Sequence, residues 1–381
     1  MSAEAEEPEV SLDESGEEGD VVTIVDVNER AEAIAEAQPI SYFGSDFDVH
    51  GLVRRLGQDD IIVPAFDPTF EPDGEIQGFQ RGFVWRRYQM DRFVESLLLG
   101  YPIPGIFLVQ QPDRKLLVLD GQQRLRTLQQ FYAGAFYNGE EFVLETVADA
   151  FKGLSYGGLA EEDRRALDNT FIHATIVKYD SDAGGERAVY QLFERLNTGG
   201  TNLYPQEIRV ALYRGPLVDF VRDLNSDPNW RSLYGPTSGR LKDQELILRF
   251  LAFYTESAQY ERPLKGFLND FLSRHRDLNG LDAPALQERF AETCAVVQGA
   301  LGRAAFRIQT QVNAALVDSI MVGVARRLEH GPINDLDSMR KAFSSLLEDS
   351  EFVSAIARAT ADEDRVARRI SKATAAFAPL A

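Results

Sequence analysis

The sequence is poor in the residues that build redox and metal centres. It has one cysteine, Cys294, and four scattered histidines, His50, His173, His275 and His330. One cysteine allows neither a disulfide within the chain nor a thiolate cluster around a metal. The histidines lack the spacing of zinc-binding or HNH-type motifs. The composition therefore argues against a disulfide scaffold, a zinc cluster and an HNH nuclease centre.

Long apolar runs are also missing. No segment approaches the roughly 20 consecutive apolar residues that a membrane-spanning helix needs. The first 20 residues, MSAEAEEPEVSLDESGEEGD, are acidic, whereas secretory signals and transit peptides are rich in basic residues near the N-terminus. We therefore expect a cytoplasmic protein without membrane contact.

The chain has no excess of basic charge: 60 acidic residues outnumber 40 lysines and arginines, and the formal net charge is −20. Residues 1–37 hold 13 acidic residues and one arginine, a net of −12, which leaves −8 for the rest of the chain. This balance argues against a protein that coats nucleic acid, so a site for a polyanion must be a local cluster of arginines. We interpret residues 1–37 as a disordered, solubilising tail. A less favoured alternative is an autoinhibitory strip that mimics a polyanion.

The rest of the chain has two parts with different patterns. Apolar and β-branched runs predict strands at 61–66, 106–110, 115–120 and 171–179, and apolar spacing of three and four residues predicts helices at 86–100, after Asp120–Gln122 and around 189–196. After Tyr204 every apolar pattern is helical. We predict an acidic tail at 1–37, an α+β domain at 38–215 and an all-α helical domain at 216–381.

Residues 119–131, LDGQQRLRTLQQF, carry the most informative motif. Asp120 and Gln123 fit a capping box, in which the two side chains satisfy the first backbone N–H groups of a helix. A cap does not explain Arg124, a cation in the first turns, where the helix dipole favours anions. A strand that leads through Gly121 into a helix N-terminus with an arginine is a natural phosphate site. We therefore slightly favour phosphate binding over a purely structural cap.

Residues 78–89, GFQRGFVWRRYQ, alternate arginines with aromatic residues. Arginine planes and aromatic rings together suit phosphates and stacked bases. For Arg86 and Arg87 we favour a structural interpretation, namely a helix start with solvated arginines and core aromatics. Gln80 and Arg81 stay candidates for phosphate binding.

Residues 192–209, LFERLNTGGTNLYPQEIR, carry a candidate metal site. Glu194 and Asn197 lie one helical turn apart, so their oxygens can face the same side. Such a pair, with few other protein ligands, can hold Mg²⁺ on substrate phosphates. Alternatively Asn197 and the glycines cap the helix and Glu194 is a solvated charge. Both interpretations remain open.

Two further features are expected to be structural. In RLKDQELILRF, residues 240–250, the side chains of Arg240, Asp243, Glu245 and Arg249 are expected to form a helix-surface or inter-domain ion network. Cys294 lies within a helical apolar pattern, which favours a core position over a nucleophile.

Taken in order, these motifs resemble the N-terminal domain family of the GmrSD-type modification-dependent restriction enzymes. The matching boxes are Gln80-Arg81 with Trp85, Gly100 to Pro104, Asp120 to Arg124, Phe193 to Gly200 with Glu207-Ile208-Arg209, and Asp243 to Phe250. The resemblance covers roughly residues 40–275, and the combination is far more specific than any single box.

The resemblance implies a ParB/sulfiredoxin-like fold, in which a strand–Gly–helix turn holds nucleotide phosphates. It implies catalytic roles for Asp120, Gln123 and Arg124, phosphate binding by Gln80, Arg81, Gly121, Gln122, Arg124 and Thr198, and Mg²⁺ binding by Glu194 and Asn197. Sulfiredoxin chemistry is not expected, because a glutamine replaces the cysteine of its phosphate turn.

The resemblance also implies a role in defence, since related proteins use this domain to sense or hydrolyse nucleotide and gate a nuclease. The nuclease is usually a C-terminal HNH domain, but the last hundred residues here contain only His330 and no such motif. The leading hypothesis is an Mg²⁺-dependent NTP-binding and NTP-hydrolysing regulator, with DNA and a separate nuclease subunit as candidate partners. The second is a non-enzymatic DNA-binding adaptor. The third and weakest is a nuclease using Asp120 and nearby carboxylates.

Overall fold

The computed structural model describes residues 40–64, 85–180, 183–196 and 203–380. The predicted tail at 1–37 and the candidate residues Gln80, Arg81, Asn197 and Thr198 lie outside these residues. None of the helices in the described ranges is long and apolar enough to cross a membrane.

A mixed five-stranded sheet occupies the first part of the described chain. Its strands are β1 (Ser41–Asp48), β2 (Ile61–Ile62), β3 (Ile106–Gln110), β4 (Leu116–Asp120) and β5 (Phe171–Lys178), in the order β1-β5-β3-β4-β2. The pairs β5–β3 and β4–β2 are parallel, and the other neighbours are antiparallel. The predicted β3–β4 hairpin is confirmed, and it places the end of β4 beside the start of β3.

Four helices pack on one face of this sheet: α1 (Val49–Gly57), α2 (Arg87–Leu98), α3 (Gln122–Ala133) and α4 (Glu161–Asp168). Successive strand residues point to opposite faces, so Leu108 and Val118 face these helices. Together with buried helix residues such as Leu125 and Leu128 they form the first core.

The second core lies on the other face of the sheet. Val109, Leu117, Leu119 and Val177 of the sheet belong to it, together with α5 (Ala183–Leu196), α6 (Pro205–Leu212) and the later helices. The sheet therefore separates two hydrophobic cores. The second core is continuous with the packing of the C-terminal helices. The α+β class is confirmed, whereas the domain boundary at residue 215 stays a prediction.

The chain after residue 215 is almost wholly helical, as predicted. Its helices are α7 (Pro216–Leu224), α8 (Pro228–Tyr234), α9 (Lys242–Glu256), α10 (Leu264–Arg274), α11 (Ala283–Leu301), α12 (Ala314–Leu328), α13 (Leu336–Glu348), α14 (Ser350–Ala357) and α15 (Glu363–Phe377). A two-stranded hairpin of β6 (Arg307–Ile308) and β7 (Gln311–Val312) interrupts them. Helix α12 is buried along nearly its whole length and packs against α9, α11, α14 and α15.

Buried ion pairs join these helices. The guanidinium of Arg209 in α6 donates to Glu245 in α9 at 3.0 Å, and Arg249 donates to Asp318 in α12 at 2.7 Å. The predicted ion pairing is therefore confirmed in part: all four side chains form ion pairs, but with other segments and not with one another, and the helix-surface location is wrong for the buried Asp243 and Arg249. Buried charges need close partners to offset their lost hydration, and these partners come from distant segments.

Candidate functional site

Gly121 forms the junction between β4 and α3. Its φ is +98°, in the left-handed region that favours glycine. A Cβ at this position would lie 2.5 Å from Cγ2 of Ile106, a buried residue at the start of β3. Glycine is therefore required here both by the backbone conformation and by the close approach of β3.

The predicted capping box is wrong, because the residue that caps α3 is Gly121 and not Asp120. Asp48 caps α1 by accepting from the N–H of Gly51 at 2.6 Å, and Asp335 caps α13 in the same manner. Gly121 has no side chain, so α3 begins without such an acceptor at its N-cap position. A helix end of this kind attracts an external anion.

Arg124 braces the β4–α3 turn, by which we mean Asp120–Arg124. Its guanidinium donates to the carbonyl of Gly105 at 3.0 Å, to the carbonyl of Pro104, and to Oδ2 of Asp120 at 2.8 Å. The side chain is only 11% exposed. Burial lowers the pKa of Arg124, and the charge of Asp120 opposes this shift. Asp120 is thus a partner of Arg124, which explains why it does not cap the helix.

The glutamines of the turn have different environments. Oε1 of Gln123 accepts from the backbone N–H of Trp85 at 3.3 Å, which joins α3 to the segment before α2. Trp85 in turn packs edge-on against Phe93 of α2. Gln122, the first residue of α3, is half-buried. The turn is therefore supported by α2 as well as by the sheet.

Glu194 is not a solvated charge, because its Oε1 accepts from Nζ of Lys265 in α10 at 2.9 Å. Helix α5, which carries Glu194, packs on β4 from the second core. It follows β5 after a short connection and runs back across the sheet, so its last turn lies towards the edge where β4 ends. Glu194 and α3 lie on opposite faces of the sheet.

The carboxylates at this edge are already paired with cations. Asp120 pairs with Arg124, and Glu194 pairs with Lys265. In the described ranges, no group of three or more Asp, Glu, His or Cys side chains could hold a metal ion. These residues alone do not make a metal site, so Mg²⁺ would fit only with oxygens brought by a bound phosphate.

The neighbouring arginines mostly support the fold. Arg126 donates to the carbonyl of Pro64 at 2.8 Å, away from the β4–α3 turn. Arg87 donates to the carbonyl of Val143 at 2.5 Å, and its guanidinium lies 4.5 Å from the ring centre of Phe136. Arg86 is exposed at the start of α2. The structural interpretation of Arg86 and Arg87 is therefore correct only in part, because Arg86 is solvated, Arg87 is bonded to the fold and Tyr88 is exposed.

One polar pair near this edge has no sequence signal. Nδ1 of His173 in β5 lies 2.8 Å from Oδ1 of Asp46 in β1, and both side chains are exposed. His173 is adjacent in space to Gly105, whose carbonyl accepts from Arg124. The pair could be found only through the register of β1 with β5, and β1 was not predicted.

A comparison with protein families matches residues 69–214 to the model described as GmrSD restriction endonuclease, N-terminal domain. This segment includes β3, β4, α3, α5 and the whole β4–α3 turn. No curated protein and no solved structure matches the chain. Residues 69–214 therefore form a domain of the GmrSD N-terminal family, as their motifs predicted.

Proposed function

We propose that this protein is an NTP-binding, NTP-hydrolysing regulatory component of a prokaryotic DNA restriction or anti-phage system. The family of residues 69–214 supports the restriction context. The observation that carries nucleotide binding is the β4–α3 turn, where a helix without a side-chain cap begins at Gly121 and carries Arg124 in its first turn. A ParB/sulfiredoxin-like arrangement of the sheet is part of the same proposal.

In this proposal a phosphate group lies at the N-terminus of α3. The helix dipole and first-turn N–H groups attract it, and Gly121 lets it approach the backbone because no Cβ is present. Arg124 adds a positive charge whose position is set by Asp120 and by the carbonyl of Gly105. Gln80, Arg81, Gln122 and Thr198 are the further candidates for phosphate contact.

The second part of the proposal is that the bound nucleotide is hydrolysed. Asp120 and Gln123 are the proposed groups that orient the attacking water, a positioning role typical of phosphoryl transfer. Mg²⁺ would neutralise phosphate charge when bound. Glu194, with Asn197, is the candidate to hold it, in competition with the ion pair to Lys265. DNA and a separate nuclease subunit are the proposed partners.

The test is equilibrium binding of each NTP to the full chain, with and without Mg²⁺, followed by measurement of phosphate release. Loss of one charge-assisted contact weakens binding by about 1.5–3 kcal/mol, so Arg124→Ala should lower affinity at least tenfold. Arg124→Lys should retain part of the affinity, because it keeps the charge and loses the planar fork.

The matched control is Arg126→Ala, in the same helix, where the arginine contacts Pro64 and not the turn. Its nucleotide affinity should equal that of the wild type. Circular dichroism must show that each variant is folded, because Arg124 also braces the loop before β3. Unchanged nucleotide affinity in folded Arg124→Ala would overturn the phosphate-site assignment.

A further inference from the structure

A polar cleft of about 400 Å³ opens at the edge of the sheet opposite the β4–α3 turn. It is lined by Gln110, Gln111, Pro112, Arg114, Lys178 and Tyr179, where β3 and β5 end and the hairpin turn to β4 begins. Strand β4 runs from this edge to Asp120, so the cleft and the turn are separated by about 13 Å of strand, at ~3.3 Å per residue. The two are separate sites.

The cleft carries positive charge in an acidic protein. Arg114 and Lys178 are exposed, and neither forms a salt bridge with another described residue. Asp113 and Asp180, which adjoin the lining residues in the sequence, are exposed, but in the described ranges neither forms a salt bridge with Arg114 or Lys178; Glu186 pairs with Arg276 at 2.5 Å. The charge of the two cations is therefore available to an anion.

Arg114 also has an unusual backbone conformation. Its φ is +68°, in the left-handed region, where glycine or asparagine is the ordinary choice in a hairpin turn. Strained backbone of this kind is concentrated at binding and catalytic sites. The turn thus holds a long cationic side chain at the mouth of the cleft, at a position where a small residue would be less strained.

An exposed aromatic ring lies beside one of these cations. Nζ of Lys178 lies 4.8 Å from the ring centre of Phe43, which is 41% exposed. Phe43 is in β1, whose first residue, Ser41, pairs with Lys178, so Phe43 and Lys178 lie on the same face of the sheet. Cations that meet phosphates beside rings that stack on bases are the usual combination in sites for single-stranded nucleic acid.

We propose that this cleft binds a single-stranded nucleic acid, with Arg114 and Lys178 on the phosphates and Phe43 against a base. An acidic peptide would pair with the cations but would not stack on the aromatic ring. The site therefore fits a single-stranded nucleic acid better than an acidic peptide.

The experiment is a titration of the full chain against a fluorescently labelled single-stranded oligonucleotide, followed by anisotropy over a range of salt concentrations. The double variant Arg114→Ala/Lys178→Ala should bind at least tenfold more weakly. Its slope of log affinity against log salt should fall by about 1.4, since each phosphate contact on a single strand contributes roughly 0.7.

Two further variants test whether the loss of binding is specific to the cleft. Lys341→Ala/Arg358→Ala removes the same charge from exposed positions near α13 and α14 and should leave binding unchanged. Phe43→Ala should weaken oligonucleotide binding about fivefold or more by loss of stacking, with an unchanged salt slope. NTP affinity should not change in the cleft variants, so failure here is distinguishable from failure of the proposed nucleotide site.

Three outcomes would overturn the proposal. The first is no oligonucleotide binding by either the full chain or the chain lacking residues 1–37. The second is equal weakening by the cleft variant and by the matched control, which would indicate general electrostatics. The third is tight binding of polyglutamate together with no effect of Phe43→Ala, which would make the cleft a site for an acidic peptide.

Discussion

Substitution of Gly121 by alanine should destabilise the fold in two ways, through the backbone conformation and through a steric clash. The left-handed backbone at Gly121 disfavours any residue with a Cβ, and the new methyl group would also lie 2.5 Å from Cγ2 of Ile106. Gly134, at the other end of α3, has a similar φ of +72°, but a Cβ there would meet nothing within 4 Å. The two glycines in one helix therefore form a matched pair.

The expected losses differ because only one variant has a clash. A left-handed conformation costs roughly 1–2 kcal/mol in a residue other than glycine, so Gly134→Ala should lose about this much stability. Overpacking of a buried site adds about 1–3 kcal/mol, so Gly121→Ala should lose about 2–5 kcal/mol. Both variants gain equally from a less flexible unfolded chain, and this gain cancels in their difference.

The assay is urea denaturation monitored by circular dichroism, with the midpoint shift converted at constant slope. Nucleotide binding should be lost in folded Gly121→Ala and kept in Gly134→Ala, because only the first variant displaces the β4–α3 turn. Equal midpoint shifts for the two variants would refute the argument that the approach of Ile106 dictates glycine at position 121.

Three other predictions follow from the structure. Glu194→Gln should strongly reduce phosphate release while some Mg²⁺-independent nucleotide binding remains; wild-type release with slightly tighter DNA binding would favour the adaptor hypothesis. Deletion of residues 1–37 should leave the melting temperature in a thermal scan nearly unchanged, because such acidic sequence without aromatic residues cannot build a core, and a large decrease would show that it docks on the fold. Asp318→Asn should cost about 3–5 kcal/mol in a denaturant titration, because the buried arginines Arg249 and Arg369 both donate to this carboxylate; a loss below about 1 kcal/mol would contradict that dependence.

Elements with a strong apolar period could be predicted from the sequence. The helix expected at 86–100 is observed at Arg87–Leu98, and the strand expected at 171–179 is observed at Phe171–Lys178. Strand β1 was missed because its first four residues are exposed, so it lacks the alternation that marks a half-buried strand. The short α1 that follows β1 was missed with it.

For the candidate site, the sequence could not predict which residues contact one another. The motif located the start of α3 correctly, but the role of Asp120 depended on a contact that spacing does not encode. Arg124 reaches Asp120 and the carbonyl of Gly105 at once because the β3–β4 hairpin brings them together. Likewise, Arg249 has the pattern of a surface charge in the sequence, and its partner Asp318 is 69 positions away.

The division of the sheet between two cores has a consequence for cooperativity. Consecutive residues of β4, Val118 and Leu119, belong to the first and the second core respectively. Neither core can lose its packing without exposing one face of the same strand to water. We therefore expect the sheet and the C-terminal helices to melt in a single transition. A fragment that ends at residue 215 would expose the apolar faces of α5 and α6, and such surfaces promote aggregation. We therefore expect the folding unit to be longer than the segment that matches the family.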